Sequence, residues 1–184
     1  MYTKIWIPGT ESELDDLFDM HRHIHYNDES HRLHNNYSKE AFAEVSALSI
    51  TFENDEPSMF GSILQRSCWP DKAYRICNRT WKAKEYRLVT GSMHGPSLVF
   101  GEMITSHVEY VKQNLNWELI FISRQTDNWQ RVAKTTFNRH LGLEFDYDKY
   151  KYLTCENDND DSCWQNIIYM GNDSLLENWK RKLT

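Results

Sequence analysis

His94 lies inside the densest glycine cluster of the chain, Gly91-Ser92-Met93-His94-Gly95-Pro96-Ser97. Glycines let backbone approach a ligand closely, and an imidazole titrates near neutral pH, so His94 is the expected general base of any proton-transfer chemistry. Glu85, Glu102 and Glu118 are carboxylates that could do the same work. A second group is His21, His23, His25, His31 and His34. On a helix His21 and His25 fall one turn apart, a spacing that can chelate a metal ion. No cysteine lies near them and the later histidines have no ligand spacing, so no metal site is expected. The plain alternative is a packed His21 with solvated neighbours. Arg75, Arg79 and Trp81 fall on one face of a strand-like run, a pattern suited to phosphate or base recognition. A solvated face with cation–π stacking would use the same residues. Asp158-Asn159-Asp160-Asp161 resembles a calcium loop, but the glycine at its sixth position and the glutamate at its twelfth are missing. It reads as an acidic hairpin tip, with Cys155 and Cys163 facing each other across it.

Periodicity supplies the elements that must hold these residues. Trp117 to Ile122 is an almost unbroken apolar run, which predicts a strand buried on both faces. Asp127 and Gln130 can cap a following helix with Trp129, Val132, Ala133, Phe137 and Leu141 on its apolar face and Gly142 just past its end. Upstream, Tyr2 to Ile7 predicts a first strand. Thr10 with Glu13 predicts a capping box for a helix to about His25, with Leu14, Leu17, Phe18 and His21 on one face. A short helix is expected from Ser38 to Val45. From Ala47 the period becomes two, with Leu48, Ile50 and Phe52 on one face and Ser49 and Thr51 on the other. Asn54 to Pro57 is a turn, and Met59 to Gln65 returns as the hairpin partner. Tyr74 to Trp81 predicts another strand. Phe100, Ile104, Val108, Val111 and Leu115 predict a buried helix face. Phe145 to Thr154 and Cys163 to Met170 predict two last strands, and Leu175 to Leu183 a terminal helix.

The 184 residues are of single-domain size, with no repeat or linker dividing them, so one domain over 1–184 is expected. No apolar run reaches the roughly 18 residues of a membrane span, and the start lacks the order of a signal peptide. A cytoplasmic protein with reduced thiols is expected. The net charge of −6 disfavours nucleic-acid binding through bulk charge, although Arg75, Arg79, Lys82 and Lys84 keep a local basic patch open.

Laid end to end, the order β-α-α-β-β-β-α-β-α-β-β resembles the GNAT superfamily of acetyl-CoA-dependent N-acetyltransferases over most of the chain. The resemblance implies an α/β fold, a mixed and mostly antiparallel sheet flanked by helices. Asn128, Ala133, Phe137 and Gly142 stand roughly where that family has its last-helix signature, at a different spacing. The segment Gly91 to Ser97 stands where the family holds the cofactor pyrophosphate on backbone N–H groups at a helix N-terminus.

What the resemblance implies is an acyl transfer from acetyl-CoA or another acyl-CoA to an amine. Gly91, Ser92, Gly95, Ser97, Asn128 and Phe137 would line the cofactor, and His94 would deprotonate the acceptor. Phe137 occupies the place of a tyrosine that in many members protonates the leaving thiolate; His140 could take that part. His21 and His25 would flank the acceptor, with Arg75, Arg79 and Trp81 on the same side. The acceptor expected is a small molecule or a protein amine, with nucleic acid kept open. A looser likeness to small proteins of tailed phages, over Trp69-Pro70 and Tyr74 to Trp81, points to a host-cell cytoplasm and a DNA-modifying or virion role. The alternatives are therefore a non-catalytic protein of the fold, used in a virion or to bind a host protein, and a nucleic-acid-modifying acyltransferase.

Overall fold

The computed structural model describes residues 1–27, 45–66, 69–83, 97–124, 151–153 and 164–182. Among these residues seven strands form one sheet. They are β1 (Tyr2–Trp6), β2 (Val45–Glu53), β3 (Glu56–Leu64), β4 (Ala73–Lys82), β5 (Leu119–Arg124), β6 (Lys151–Leu153) and β7 (Trp164–Gly171), in the spatial order β1-β2-β3-β4-β5-β7-β6. Every neighbouring pair is antiparallel except β4 and β5, which run parallel. Three helices are described: α1 (Ser12–Asn27), α2 (Ser97–Asn114) and α3 (Asp173–Lys182). The expected helices over 38–44 and 127–141 lie outside the described residues, as does the loop 156–162. Val45 itself opens β2 rather than closing a helix.

Alternation along the strands sorts the core into two layers. On one face Leu48, Ile50, Phe52, Phe60, Leu64, Trp81, Leu119 and Phe121 pack under α1 and α3, which contribute Leu14, Phe18 and Leu176. On the other, Ala47, Met59, Ile63, Ile76, Ile120 and Ile122 pack under Val99, Phe100, Met103, Ile104, Val108 and Val111 of α2. β5 is thus buried on both faces, as its unbroken apolar run requires. Gly61 allows α2 to sit close, because a side chain there would press on the Met103 sulfur.

Two local details differ from expectation. Thr10 does not cap α1; its hydroxyl donates to the Ile7 carbonyl, and the Asp15 carboxylate instead accepts from the Gly9 N–H and the Trp6 indole. Ser49 and Thr51 are fully buried, since α2 covers the face on which they lie. The hairpin turn falls inside the expected stretch but is shorter: Asn54 and Asp55 both take positive φ, 52° and 64°, the twist that a two-residue hairpin favours, and Glu56 and Pro57 already belong to β3. Among the described residues no helix is long and apolar enough to cross a membrane.

Candidate active site

The site begins where the sheet changes direction. A parallel neighbour must be reached by a crossover, and here α2 provides it between β4 and β5. The two strands are bound tightly at their starts. The Lys72 carbonyl accepts from both Glu118 N–H (2.9 Å) and Leu119 N–H (3.2 Å), and the Glu118 carbonyl accepts from Asn172 N–H at 2.8 Å. Above these bonds Lys72 Nζ lies 2.6 Å from Glu118 Oε1, and Asn172 Nδ2 donates to Glu118 Oε2 at 3.3 Å. The Lys72 hydrogen bond and charge hold the Glu118 carboxyl below its usual range, and the same contact raises the Lys72 ammonium. Glu118 is therefore occupied by structural partners at the closed end.

From there the ladder has three rungs, Ala73–Leu119, Tyr74–Ile120 and Arg75–Phe121. Beyond Arg75, β4 continues to Lys82 and, among the described residues, pairs with β3 alone; beyond Phe121, β5 continues to Arg124 and pairs among them with β7 alone. Among the described residues the ladder between the two strands ends there, so their inner edges are not paired with each other past that rung. α2 returns antiparallel to β4 as the crossover demands, so its first residue, Ser97, stands toward the open end of this split.

β4 departs from regular geometry where the split opens. Leu64 pairs with Arg75 and Ser62 with Asn78, so three steps on β4 match two on β3; the same mismatch recurs between Ser62–Asn78 and Phe60–Trp81. These are β-bulges, which bend and twist the strand that carries them. Cys77, in the first, has a φ of 50°. Its N–H donates to Nδ1 of His107 at 3.1 Å, its Sγ lies 3.7 Å from the same nitrogen, and its carbonyl accepts from the Thr80 hydroxyl at 2.8 Å. His107 Nε2 lies 2.7 Å from Ser49 Oγ. Burial pushes the Cys77 thiol up and lowers His107 to about 3, so both are neutral and Cys77 is no thiolate nucleophile.

On the opposite face of the sheet, the His21 ring stacks on Phe60 with centroids 4.7 Å apart, and Phe60 stacks on Trp81 at 5.3 Å and 9°. Phe18 meets both Phe60 and Trp81 edge-on. Two residues singled out from sequence, His21 and Trp81, are thus brought together through a third. Trp81 is only 5% exposed, so its ring belongs to the core and offers no open surface beside Arg75 for a base to stack on. Arg75 is half-buried and lies on that face by its register opposite Leu64. Arg79 lies in β4, His25 in α1 and Ser97 in α2, with side chains outside the described residues. Gly91, Ser92, His94, Gly95, Asn128, Phe137 and His140 lie outside them altogether. Glu102 accepts from Ser106 one turn on along α2, and both are half-buried. Sequence reasoning missed His107, Cys77 and Ser49. The legible signal was the place of His107 on the apolar face, three residues after Ile104 and one before Val108.

No protein-family model matches this sequence, and no curated protein matches it. Solved structures do. AAC(6')-Ib in complex with ribostamycin and coenzyme A superposes with a TM-score of 0.55 at 13% identity, covering 96% of this chain and 97% of that one. The same protein in complex with paromomycin and acetyl-CoA gives 0.56 at 14%, with the same coverage. A protein described as a probable acetyltransferase, from Staphylococcus epidermidis ATCC 12228, gives 0.53 at 16%, covering 92% and 99%. Strand order, the parallel β4–β5 pair and these superpositions agree: the chain has the mixed-sheet fold of the GNAT N-acetyltransferases.

Proposed function

We propose that the protein is an N-acyltransferase that moves an acetyl or other acyl group from acyl-CoA to an amine, with residues 1–184 acting as one domain. The observation that carries this reading is the split between β4 and β5. An extended molecule bearing amide groups can lie between two strand edges and bond to both, as an added strand does. The pantetheine arm of coenzyme A is such a molecule, with two amides leading to the thiol. The structures of AAC(6')-Ib in complex with ribostamycin and coenzyme A, and with paromomycin and acetyl-CoA, support the same donor and a small-molecule amine as acceptor.

In this reading the segment from Gly91 through Ser92 and Gly95 to Ser97 binds the pyrophosphate, where aligned N–H groups at the start of α2 favour an anion. Asn128 and Phe137 lie along the donor. His94 removes a proton from the acceptor amine, whose nitrogen attacks the thioester carbonyl carbon. Strand N–H groups in the split stabilise the oxyanion; the carbon–sulfur bond then breaks and His140 supplies the proton to the departing thiolate. His21 and His25 stand on the acceptor side, His21 resting on Phe60, with Arg75 and Arg79 available to an acidic or phosphorylated part of the acceptor.

Acetyl-CoA at a hundredfold excess over its Kd should stabilise the folded state by about 2.7 kcal/mol, which is roughly 5–10 °C in Tm for a chain of this length. No shift at millimolar acetyl-CoA would end this reading. A shift without turnover on any amine would favour a non-catalytic binder, the outcome to which Phe137 in place of tyrosine points.

A further inference from the structure

His107 is fully buried on the sheet-facing side of α2, among Ile104, Val108, Val111 and Met103. Both ring nitrogens are engaged. A backbone N–H can only donate, so Nδ1, 3.1 Å from Cys77 N, is the accepting nitrogen. The proton of the neutral ring is then on Nε2, from which it is donated to Ser49 Oγ at 2.7 Å. Ser49 is itself fully buried, on β2.

The Cys77 amide is not an ordinary one. It belongs to one of the two β4 residues, Ile76 and Cys77, that stand opposite the single Ile63 between the Arg75–Leu64 and Asn78–Ser62 pairs, where the bulge disrupts the ladder. It also holds a left-handed φ that a non-glycine residue keeps only where its surroundings impose it. The bulge begins immediately after Arg75, the last residue of β4 that pairs with β5. The bend in β4 and the parting of the strands are therefore at one place, and His107 binds the backbone there.

We infer that His107 is a positioning residue for acyl transfer: taking the Cys77 N–H through Nδ1 and braced on Ser49 through Nε2, it holds β4 in the bent course that keeps the acyl-donor slot open. This rests on the acyltransferase reading above and adds to it the part that preforms the slot. Its consequence is selective. Loss of the Nδ1 contact weakens the acyl donor, raising its Kd and KM, and leaves the KM of the amine acceptor nearly unchanged.

Two variants separate this from simple core filling. In His107→Asn the amide oxygen falls near the position of Nδ1 and can accept from Cys77, but the side chain is too short to reach Ser49. In His107→Gln the side chain is nearer in volume to histidine and reaches Ser49, but carries no acceptor at the Nδ1 position. With both variants shown to be folded by circular dichroism, the Asn variant is expected to bind acetyl-CoA within about threefold of wild type. The Gln variant is expected to bind about tenfold or more weakly, the fold-change one lost buried hydrogen bond is worth. The reverse order, Gln milder than Asn, is what core volume alone would give and would overturn the inference.

Nitrogen-15 spectra of the wild-type imidazoles provide a measurement that does not depend on a variant folding. His107 is expected as the neutral Nε2–H tautomer between about pH 5 and pH 9, with the Cys77 amide resonance moving as acetyl-CoA is added. An Nδ1–H tautomer, or an unmoved Cys77 amide at saturating acetyl-CoA, would overturn it. If wild type binds no acetyl-CoA, the acyltransferase reading falls and takes this inference with it; if wild type binds and the variants run in the wrong order, only the inference falls.

Discussion

Arg75 and Phe121 form the last rung between β4 and β5, and past them, among the described residues, β4 pairs with β3 and β5 with β7. A pair of parallel strands that begins bonded and ends apart needs a firm join at one end and a cause for divergence at the other. Both are visible, and both can be perturbed.

The start of β5 is also held from its other side, by β7 at Gly171. Its φ is 116°, and a Cβ there would overlap the Glu118 carbonyl oxygen, which accepts the Asn172 N–H. Gly171→Ala should lower stability by more than about 2 kcal/mol, read from the midpoint of urea unfolding, because strain and a backbone clash add. Lys72→Met removes only a solvent-exposed ion pair beside the same bonds and should leave the midpoint almost where it was. Equal effects would show that the ion pair, and not the backbone packing of β7 on Glu118, secures the start of β5.

Divergence depends on the conformation of Cys77. Cys77→Ala keeps a side chain that tolerates this backbone and should lose about 1 kcal/mol of burial. Cys77→Val places a β-branched residue at a φ of 50° and enlarges a packed site, so a loss of about 3 kcal/mol is expected. Thermal unfolding of the pair checks it, and a valine variant as stable as the alanine one would contradict the assigned backbone.

His107 makes stability fall with acid. Above pH 6.5 the ring is neutral in folded and unfolded chains alike, so nothing is lost. Between 6.5 and about 3 only the unfolded chain takes up the proton, and stability drops as pH drops; below that both forms are charged and the loss stops growing. From pH 7.5 to pH 5.5 this one residue should remove about 1.4 kcal/mol. Denaturant titrations of wild type and His107→Asn at both pH values isolate it, since the variant should lack that share of the drop.

The face bearing Arg75 and Trp81 yields a contrast. Trp81 stacks on Phe60 and meets Phe18, so Trp81→Ala should destabilise by about 3–5 kcal/mol. Arg75 is half-buried at the surface, and Arg75→Ala should change stability by about 0.5 kcal/mol. Fluorescence-monitored unfolding and a filter-binding assay with single-stranded DNA test both halves. A Trp81→Ala protein of undiminished stability that loses salt-dependent DNA binding would return the tryptophan to a recognition surface.

Much of this protein was determined by sequence through local periodicity. The apolar run ending at Ile122 had to be a strand covered on both sides, the steps from Phe100 to Val111 had to be a buried helix face, and Asn54 to Pro57 had to contain a hairpin turn. Each follows from residues within one or two turns of each other. The order of these elements was enough to suggest the fold that the superpositions support.

Only the tertiary structure decided what the intervening polar residues do. Trp81 and Arg75 share a strand face, but whether that face meets water or α1 depends on Phe18, sixty-three positions before Trp81. The bulges of β4 are invisible in sequence because they are a mismatch of count against β3. His107 shows the same limit: its spacing places it on a buried face, but its partners are a backbone N–H of β4 and a hydroxyl of β2. Hydrogen bonds between elements far apart in the chain carry no periodic signal, and so the residues that shape the slot could be found only once the strands were in place.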